Sequence, residues 1–338
     1  MGTPRLSREL AQQAVDAMSH AKALGKSGRS ASRMLNLNNG TFMTRLETAK
    51  ILYGLEPVEA PPLAVEIISE PILRPRVRVK AARVVDDAPV YRVLAVGDAH
   101  DSPSLPDKSR FRWIGRYAAE VRPDKIIQIG DIFTFDSLSR WDVPGSLSQK
   151  LRPSFARDLE SGEEALSAFA KDCPDGIPKH ITLGNHDVRP LRFELGQAEI
   201  EGQLWGPVKD LFARYNWRMH DEGAYFFVGG VAFLHSPRTI MNREYGGKTL
   251  NAVANDSVHS TVKGHSHRGQ VVHAPKLGPM GGVTIVDLGT CLPTGYVAQY
   301  AKVALTGWTY GVWTLTIQSG RIIGHSFISM DELASRYA

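Results

Sequence analysis

Beyond residue 90 the chain repeats one pattern: a short apolar run, a break at glycine or a polar residue, then a stretch long enough for a helix. The apolar runs fall at residues 91–96, 125–129, 180–183, 231–234 and 261–263, with further ones at 283–288, 311–317 and 321–328. Short apolar runs bounded by turn formers predict strands, and strands that alternate with helix-length segments predict an α/β sandwich.

Before residue 60 the period is different. Leu10, Ala14, Met18 and Ala21 recur at three-to-four-residue spacing over residues 7–24, with Gly25 to close the segment, which predicts a helix. A second short helix is expected over residues 30–35, a turn over 36–40, and a third helix from Thr41 that carries Met43, Leu46, Ala49, Ile51 and Leu52. Residues 56–62 are rich in proline and acid and read as a linker, whereas Arg74, Arg76, Arg78 and Lys80 alternate along residues 65–85 as on a hairpin with one basic face. The expected division is a helical module over residues 1–58, a linker with a possible hairpin over 59–88, and a main domain over 89–338.

Composition narrows the class. A content of 43% hydrophobic and 22% charged residues is that of an ordinary globular chain, not a disordered one. Cys173 and Cys291 are the only cysteines, too few for a disulfide framework or a cysteine-rich zinc site. No run approaches the roughly 18 to 20 apolar residues that span a bilayer. The start MGTPRLSREL lacks the apolar stretch of a secretory signal, so a cytoplasmic protein is expected. A net charge of +5 is compatible with a polyanionic partner.

The chemistry sits where the strands end. VLAVGDAH carries Asp98 and His100, IIQIGD carries Asp131, ITLGNHD carries Asn185 and His186, VAFLH carries His235, and TVKGHSH carries His265 and His267. In open α/β sheets, groups just past the carboxyl ends of strands converge on one crevice. Residues two apart in an extended segment point the same way, so Asp-x-His and His-x-His each present two donors together. Gly97, Gly130, Gly184 and Gly264 precede four of these segments and allow a sharp turn close to an ion. Any one such segment is ordinary turn chemistry; together they point to a metal site. His235 is matched only by its place after an apolar strand, with His220 and His259 as competitors, while His20, His180, His273 and His325 read as surface or structural residues.

GDAH, GD, GNHD, a strand-end His and GHSH, in that order, resemble the signature of the calcineurin-like metallophosphoesterase superfamily over residues 90–330. The resemblance implies a four-layered αββα sandwich with two metal ions at one edge. Asp98, His100, Asp131 and His267 would hold one ion, Asp131, Asn185, His235 and His265 the other, with Asp131 between them. Mixed imidazole, carboxylate and amide donors suit manganese, with iron or zinc as alternatives. Two ions about 3.5 to 4 Å apart activate a bridging hydroxide for in-line attack on phosphorus. His186 would contact the scissile phosphate and protonate the leaving oxygen. Relatives often place an acid where this chain has Thr134; here Asp136 comes two residues later, and the adjacent Asp187 is expected to supply part of the support that acid gives His186.

The N-terminal segment resembles a helix-turn-helix module, with Ala31 and Leu35 on its first helix. Thr41, Thr44, Arg45 and Lys50 would then face DNA, and Lys26, Arg29 and Arg33 its phosphates. A plain three-helix packing or oligomerisation module is the alternative. Arg189, Arg192, Arg238, Arg243 and Arg268 follow the ligand segments and are placed to line a phosphate-rich strand, or are solvated loop charges; Trp141, beside Arg140, could stack on a base or cap the core. This layout resembles phage-encoded phosphoesterases, and the superfamily's double-strand-break repair nucleases give the enzymatic precedent. The resulting expectation is a manganese-dependent phosphodiesterase acting on DNA. Its rivals are a phosphomonoesterase or protein phosphatase with the same metals, and a DNA-binding regulator on a non-catalytic phosphoesterase scaffold.

Overall fold

In the computed structural model, which describes residues 6–24, 26–58, 88–140, 142, 144–245, 250–277, 281–296 and 307–338, the chain divides into two units, Met1–Ala82 and Arg83–Ala338. The expected basic hairpin with Arg74, Arg76, Arg78 and Lys80, the linker from residue 59 onward, Gly25 and Trp141 lie outside the described residues.

Among its described residues the first unit holds three helices, α1 (Arg8–Ala23), α2 (Gly28–Met34) and α3 (Asn39–Tyr53). Ser7 caps α1 by accepting from the Leu10 amide, and Asn38 caps α3 by accepting from the Thr41 amide at 2.8 Å; each side-chain oxygen satisfies an amide that the first helical turn leaves open. Gly54 ends α3 at φ 63°, a conformation glycine takes without the Cβ penalty. The helices form as expected, but the buried stripe differs. Ala11, Ala14, Val15, Ala17, Ala21, Ala31, Phe42 and Ala49 are buried, while Leu10, Met43, Ile51 and Leu52 are exposed. Alanines let the helices approach closely around Phe42, and a stripe of small residues is hard to distinguish from background in a period analysis that weights large side chains.

The second unit is a four-layered α/β sandwich. One sheet has the order β11-β10-β1-β2-β3-β4 and the other β5-β6-β7-β9-β8. Strands β1 (Tyr91–Val96), β2 (Lys125–Gln128), β3 (Lys179–Thr182) and β4 (Trp217–His220) run parallel, and β10 (Gly311–Gln318) and β11 (Arg321–Ser329) extend that sheet antiparallel. In the second sheet β6 (Val231–Phe233), β7 (Thr261–Lys263) and β9 (Gly282–Asp287) are parallel, edged by β5 (Phe226–Val228) and β8 (Gln270–Pro275).

Alternation along β1 explains the layers. Val93 and Ala95 face the second sheet, where they join Ile127, Phe233, Val262, Val286 and Leu315. Leu94 and Val96 face the opposite way and meet Phe111 and Ile114 of α4 (Ser109–Val121), Leu166 and Phe169 of the helix Phe155–Asp172, and Phe212 of the helix Trp205–Arg214. Leu250 and Val253 of the helix Leu250–Asp256 cover Val283 and Ile285 on the outer face of the second sheet. A strand buried on both faces reads as a continuous apolar run, which is why β1, β2 and β9 stand out in the sequence. No helix among the described residues is long and apolar enough to cross a membrane.

His180 and His220 lie on the adjacent strands β3 and β4, ring to ring, with Nδ1 of one 3.0 Å from Nε2 of the other and Phe226 stacked on both. Burial first, then His220, Lys125 and Arg218, push the His180 imidazole down to about 4, and its Nε2 has no partner among the described residues. Unfolding lets this group bind a proton below its ordinary value near 6.5. The folded chain refuses that proton until about 4, so His180 lowers stability progressively between those two values as pH falls. The expected result is that the melting temperature of His180→Gln falls less than that of the native chain between pH 6.5 and 4. Parallel melting curves would contradict it.

Candidate metal centre

Five strands release loops that meet at one place. Asp98 and His100 follow β1, Asp131 follows β2, Asn185 and His186 follow β3, His235 follows β6, and His265 and His267 follow β7. Backbone bonds lock these loops to one another: the Ala99 and His100 amides both donate to the Asp131 carbonyl, at 3.0 and 2.9 Å, and the Gly264 amide donates to the His235 carbonyl at 3.0 Å. His100, Asp131, His265 and His267 have positive φ, from 41° to 72°. Left-handed backbone costs a non-glycine residue about 1 kcal/mol or more, and a cluster of such residues marks a place where the fold holds a geometry against strain. Two of the glycines expected to matter do so through close approach: a Cβ at Gly184 would lie 2.1 Å from Asp131 Oδ1, and one at Gly264 would lie 2.3 Å from Asp98 Oδ1.

All seven residues expected as ligands come together, and His186 joins them. His100 Nε2 lies 2.9 Å from His267 Nε2, which lies 3.0 Å from Asp98 Oδ2. On the other side His235 Nε2 lies 3.2 Å from Asp131 Oδ2 and 3.3 Å from Asn185 Oδ1, with His265 Nδ1 3.1 Å from the same amide oxygen. Asp131 Oδ2 is also 3.8 Å from His100 Nε2, so one carboxylate faces both groups. Donors bound to one cation at about 2.0 to 2.2 Å sit roughly 3 Å apart, and these separations match. The groups Asp98, His100 and His267, then His100, Asp131 and His186, then Asp131, His235 and His265 each place their ligand atoms within 4.8 Å of one another. Imidazole, carboxylate and amide donors this close, and mostly buried, fit a divalent transition ion.

The electrostatics agree with that chemistry. Burial would lower the His235 imidazole, but Asp131 and Asp98 hold it up at about 10. Burial would raise Asp131, but His235, His186 and His100 hold it well below the usual carboxylate range. Buried carboxylates here demand positive charge, which a cation would supply while displacing the proton from the His235 imidazole. His235 is oriented from behind by the Ile129 carbonyl, 3.0 Å from Nδ1. That contact leaves Nε2 to face the cluster, as an outer carbonyl does for a metal-binding histidine.

His186 is held differently from expectation. Its Nδ1 faces the Thr134 carbonyl at 3.3 Å, and Arg189 bridges the same carbonyl at 2.9 Å and the ring's Nε2 at 3.4 Å. Asp187 gives its side chain to the backbone instead of to this ring: it accepts from the amides of Asp131 at 2.7 Å, Gly184 at 2.9 Å and Phe133 at 3.2 Å. Burial and then Asp131 push Asp187 up to about 7, opposed by the Gly184 and Phe133 amides. Burial lowers His186 to about 4, with Asp131 opposing and Arg189 assisting.

The competing histidines are elsewhere, His220 against His180 and His259 edge-on to Phe227. Among the arginines, Arg189 reaches His186, whereas Arg192 binds both carboxylate oxygens of Glu222, and Arg238 lies 3.6 Å from Glu244. Arg268 donates its amide to Ser266, and Arg140 reaches the Arg192 carbonyl. In the first unit Arg29, Arg33, Thr41, Thr44 and Lys50 are exposed and Arg45 is half-buried, with Lys50 paired to Glu56 at 2.7 Å.

Several residues beside the centre carry little or no mark in the sequence. A cavity of about 390 Å³ opens against Asn185 and His235 and is lined also by Glu222, Tyr225, Arg238 and Glu244. Trp308 stands edge-on to His267 at 4.4 Å between ring centroids. Asp101, buried beneath the first loop, accepts from Lys108, Arg110 and Ser161. It directly follows His100, and an acid adjoining a ligand segment was the available signal.

A sequence profile for the calcineurin-like phosphoesterases matches residues 91–269. The chain is similar to the gene 54 proteins of Mycobacterium phages D29 and L5, each 24% identical over 248 residues that cover 68% of this chain and 91% of the relative. Among solved structures, Yfce, a phosphoesterase from E. coli, aligns over 70% of this chain and 100% of its own at 16% identity and a TM-score of 0.30.

Proposed function

From the premise that this chain belongs to the calcineurin-like phosphoesterase family, and so is a metal-dependent phosphoesterase of a type found in phages, we propose that it hydrolyses phosphodiester bonds in DNA at a pair of manganese ions. The observation that carries the two-ion reading is the position of Asp131, whose Oδ2 lies 3.2 Å from His235 Nε2 and 3.8 Å from His100 Nε2, so that one carboxylate faces both halves of the centre. Asp98, His100, Asp131 and His267 would hold one ion, and Asp131, Asn185, His235 and His265 the other. Bound there, the ions supply Lewis acidity and a nucleophile at neutral pH.

The remaining work falls to the chain. Arg189, next to His186, offers a planar fork to a phosphoryl oxygen. His186 Nε2 accepts from Arg189; an anionic phosphate that draws Arg189 to itself replaces that bond and counters the burial that lowers the ring's proton affinity, so the ring can then hold a proton at Nε2 and pass it to the leaving oxygen. The Thr134 carbonyl fixes the opposite edge of that ring. Support for a nucleic-acid substrate comes from the net charge of +5 and from the exposed Lys26, Arg29 and Arg33 on a separate helical unit.

Comparing turnover of a bis-aryl phosphate, a mono-aryl phosphate and plasmid DNA in manganese tests the substrate. DNA and the diester are expected to be cut; if only the mono-ester is cut, the diesterase reading fails. Removing residues 1–58 is expected to weaken DNA binding and flatten its salt dependence, by about one unit of log–log slope for each phosphate that the helical unit neutralises. Small-ester hydrolysis should persist. Unchanged salt dependence would remove the helical unit from DNA recognition.

A further inference from the structure

Resting on the metal-site reading above, the geometry points to a buried network, Lys263, Asp287 and Ser266, as the device that positions the loop carrying His265 and His267. Strands β7 and β9 are in parallel register with Lys263 opposite Asp287. Their side chains form an ion pair, with Lys263 only 7% and Asp287 only 3% exposed. The Lys263 ammonium also donates to the Gly264 carbonyl at 2.6 Å. Ser266 donates its hydroxyl to the same Asp287 oxygen at 2.6 Å and accepts from the Arg268 amide at 3.2 Å. Each metal-facing histidine is therefore bracketed: Gly264 and Ser266 flank His265, and Ser266 and Arg268 flank His267.

Such bracketing answers a specific problem. Both histidines hold left-handed backbone, at φ 72° and 57°, which a free loop would relax. A buried ion pair is weak as a stabiliser, because desolvating both charges offsets their attraction. What it does well is fix direction, since Asp287 gives one oxygen to both Lys263 and Ser266. The network thereby fixes the loop that aims His267 Nε2 at His100 and His265 Nδ1 at Asn185. Outer partners of metal ligands typically govern affinity by about 10- to 100-fold.

The test is manganese affinity, read by electron paramagnetic resonance of free Mn²⁺ during titration, beside thermal unfolding of the metal-free protein. Ser266→Ala is expected to bind manganese about 10-fold more weakly, Ser266→Thr to retain native affinity because it keeps the hydroxyl, and both to unfold at nearly the native temperature without metal. The paired replacement Lys263→Met with Asp287→Leu removes both charges together. It is expected to lower manganese affinity by about 10- to 100-fold in a folded chain. Native affinity in Ser266→Ala, or equal loss in Ser266→Ala and Ser266→Thr, would overturn the positioning role; if the paired replacement does not fold, this serine contrast decides alone. A native protein that binds no manganese would overturn the metal-site reading itself, a distinguishable failure.

Discussion

Asp131→Asn is expected to lower kcat/KM for a phosphodiester by about 10³-fold or more while leaving the chain folded. Asparagine keeps the volume of the side chain and an oxygen to accept from the His186 amide, which binds Asp131 Oδ1 at 2.8 Å. What disappears is the negative charge on the atom 3.2 Å from His235 Nε2 and 3.8 Å from His100 Nε2. Metal ions supply several kcal/mol of transition-state charge stabilisation, and losing about 4 kcal/mol of it is a factor near 10³. Hydrolysis of a bis-aryl phosphate, measured with a circular-dichroism melt of the same preparation, checks both halves. A rate within tenfold of native in a folded variant would show that Asp131 does not link the two groups.

The second large effect is on stability. Asp187→Ala should destabilise the chain by about 3 to 5 kcal/mol, because three backbone amides, those of Asp131, Gly184 and Phe133, lose their acceptor in a buried place. Each unsatisfied buried donor costs about 1 to 3 kcal/mol, with partial relief where water enters. Asp187→Asn should recover part of the loss, since its amide oxygen can take the Oδ2 place and accept from the Asp131 and Gly184 amides while its nitrogen faces only the Phe133 amide. Denaturant unfolding should show a lower midpoint with an unchanged slope. A loss under about 1 kcal/mol would mean that these loops are held by something else.

The ligand constellation was legible because each member stands beside a glycine or an apolar run, so local composition marks both strand and turn. The strands that lead to it are largely buried on both faces, which leaves a plain signal in β1, β2 and β6. Strand β4, with Arg218 and His220 among its four residues, and β8, with Gln270 and His273, leave no such run and have no comparable signal. The N-terminal helices were legible as helices, and part of the packed face with them: Ala14, Met18, Ala21, Leu46 and Ala49 pack as their spacing placed them, whereas Leu10, Met43, Ile51 and Leu52 are exposed and Ala11, Val15 and Ala17 do packing that the spacing did not mark.

What surrounds the ligands was least legible, for a physical reason. The Thr134 carbonyl that faces His186 is backbone and has no residue-type signature. Asp187 looks like a catalytic neighbour in sequence, but its oxygens are directed to amides 54 and 56 residues away as well as to nearby Gly184. Lys263 and Asp287 meet only because two strands adopt one register. Pairings of that kind belong to tertiary structure, and no window along the chain contains them.

Manganese stoichiometry, measured by elemental analysis after equilibrium dialysis of the native chain and of Asp131→Asn, tests the shared-carboxylate centre most directly. Two ions per native chain and fewer in Asp131→Asn are predicted. No bound ion in the native chain, or two ions held equally well by both proteins, would contradict it.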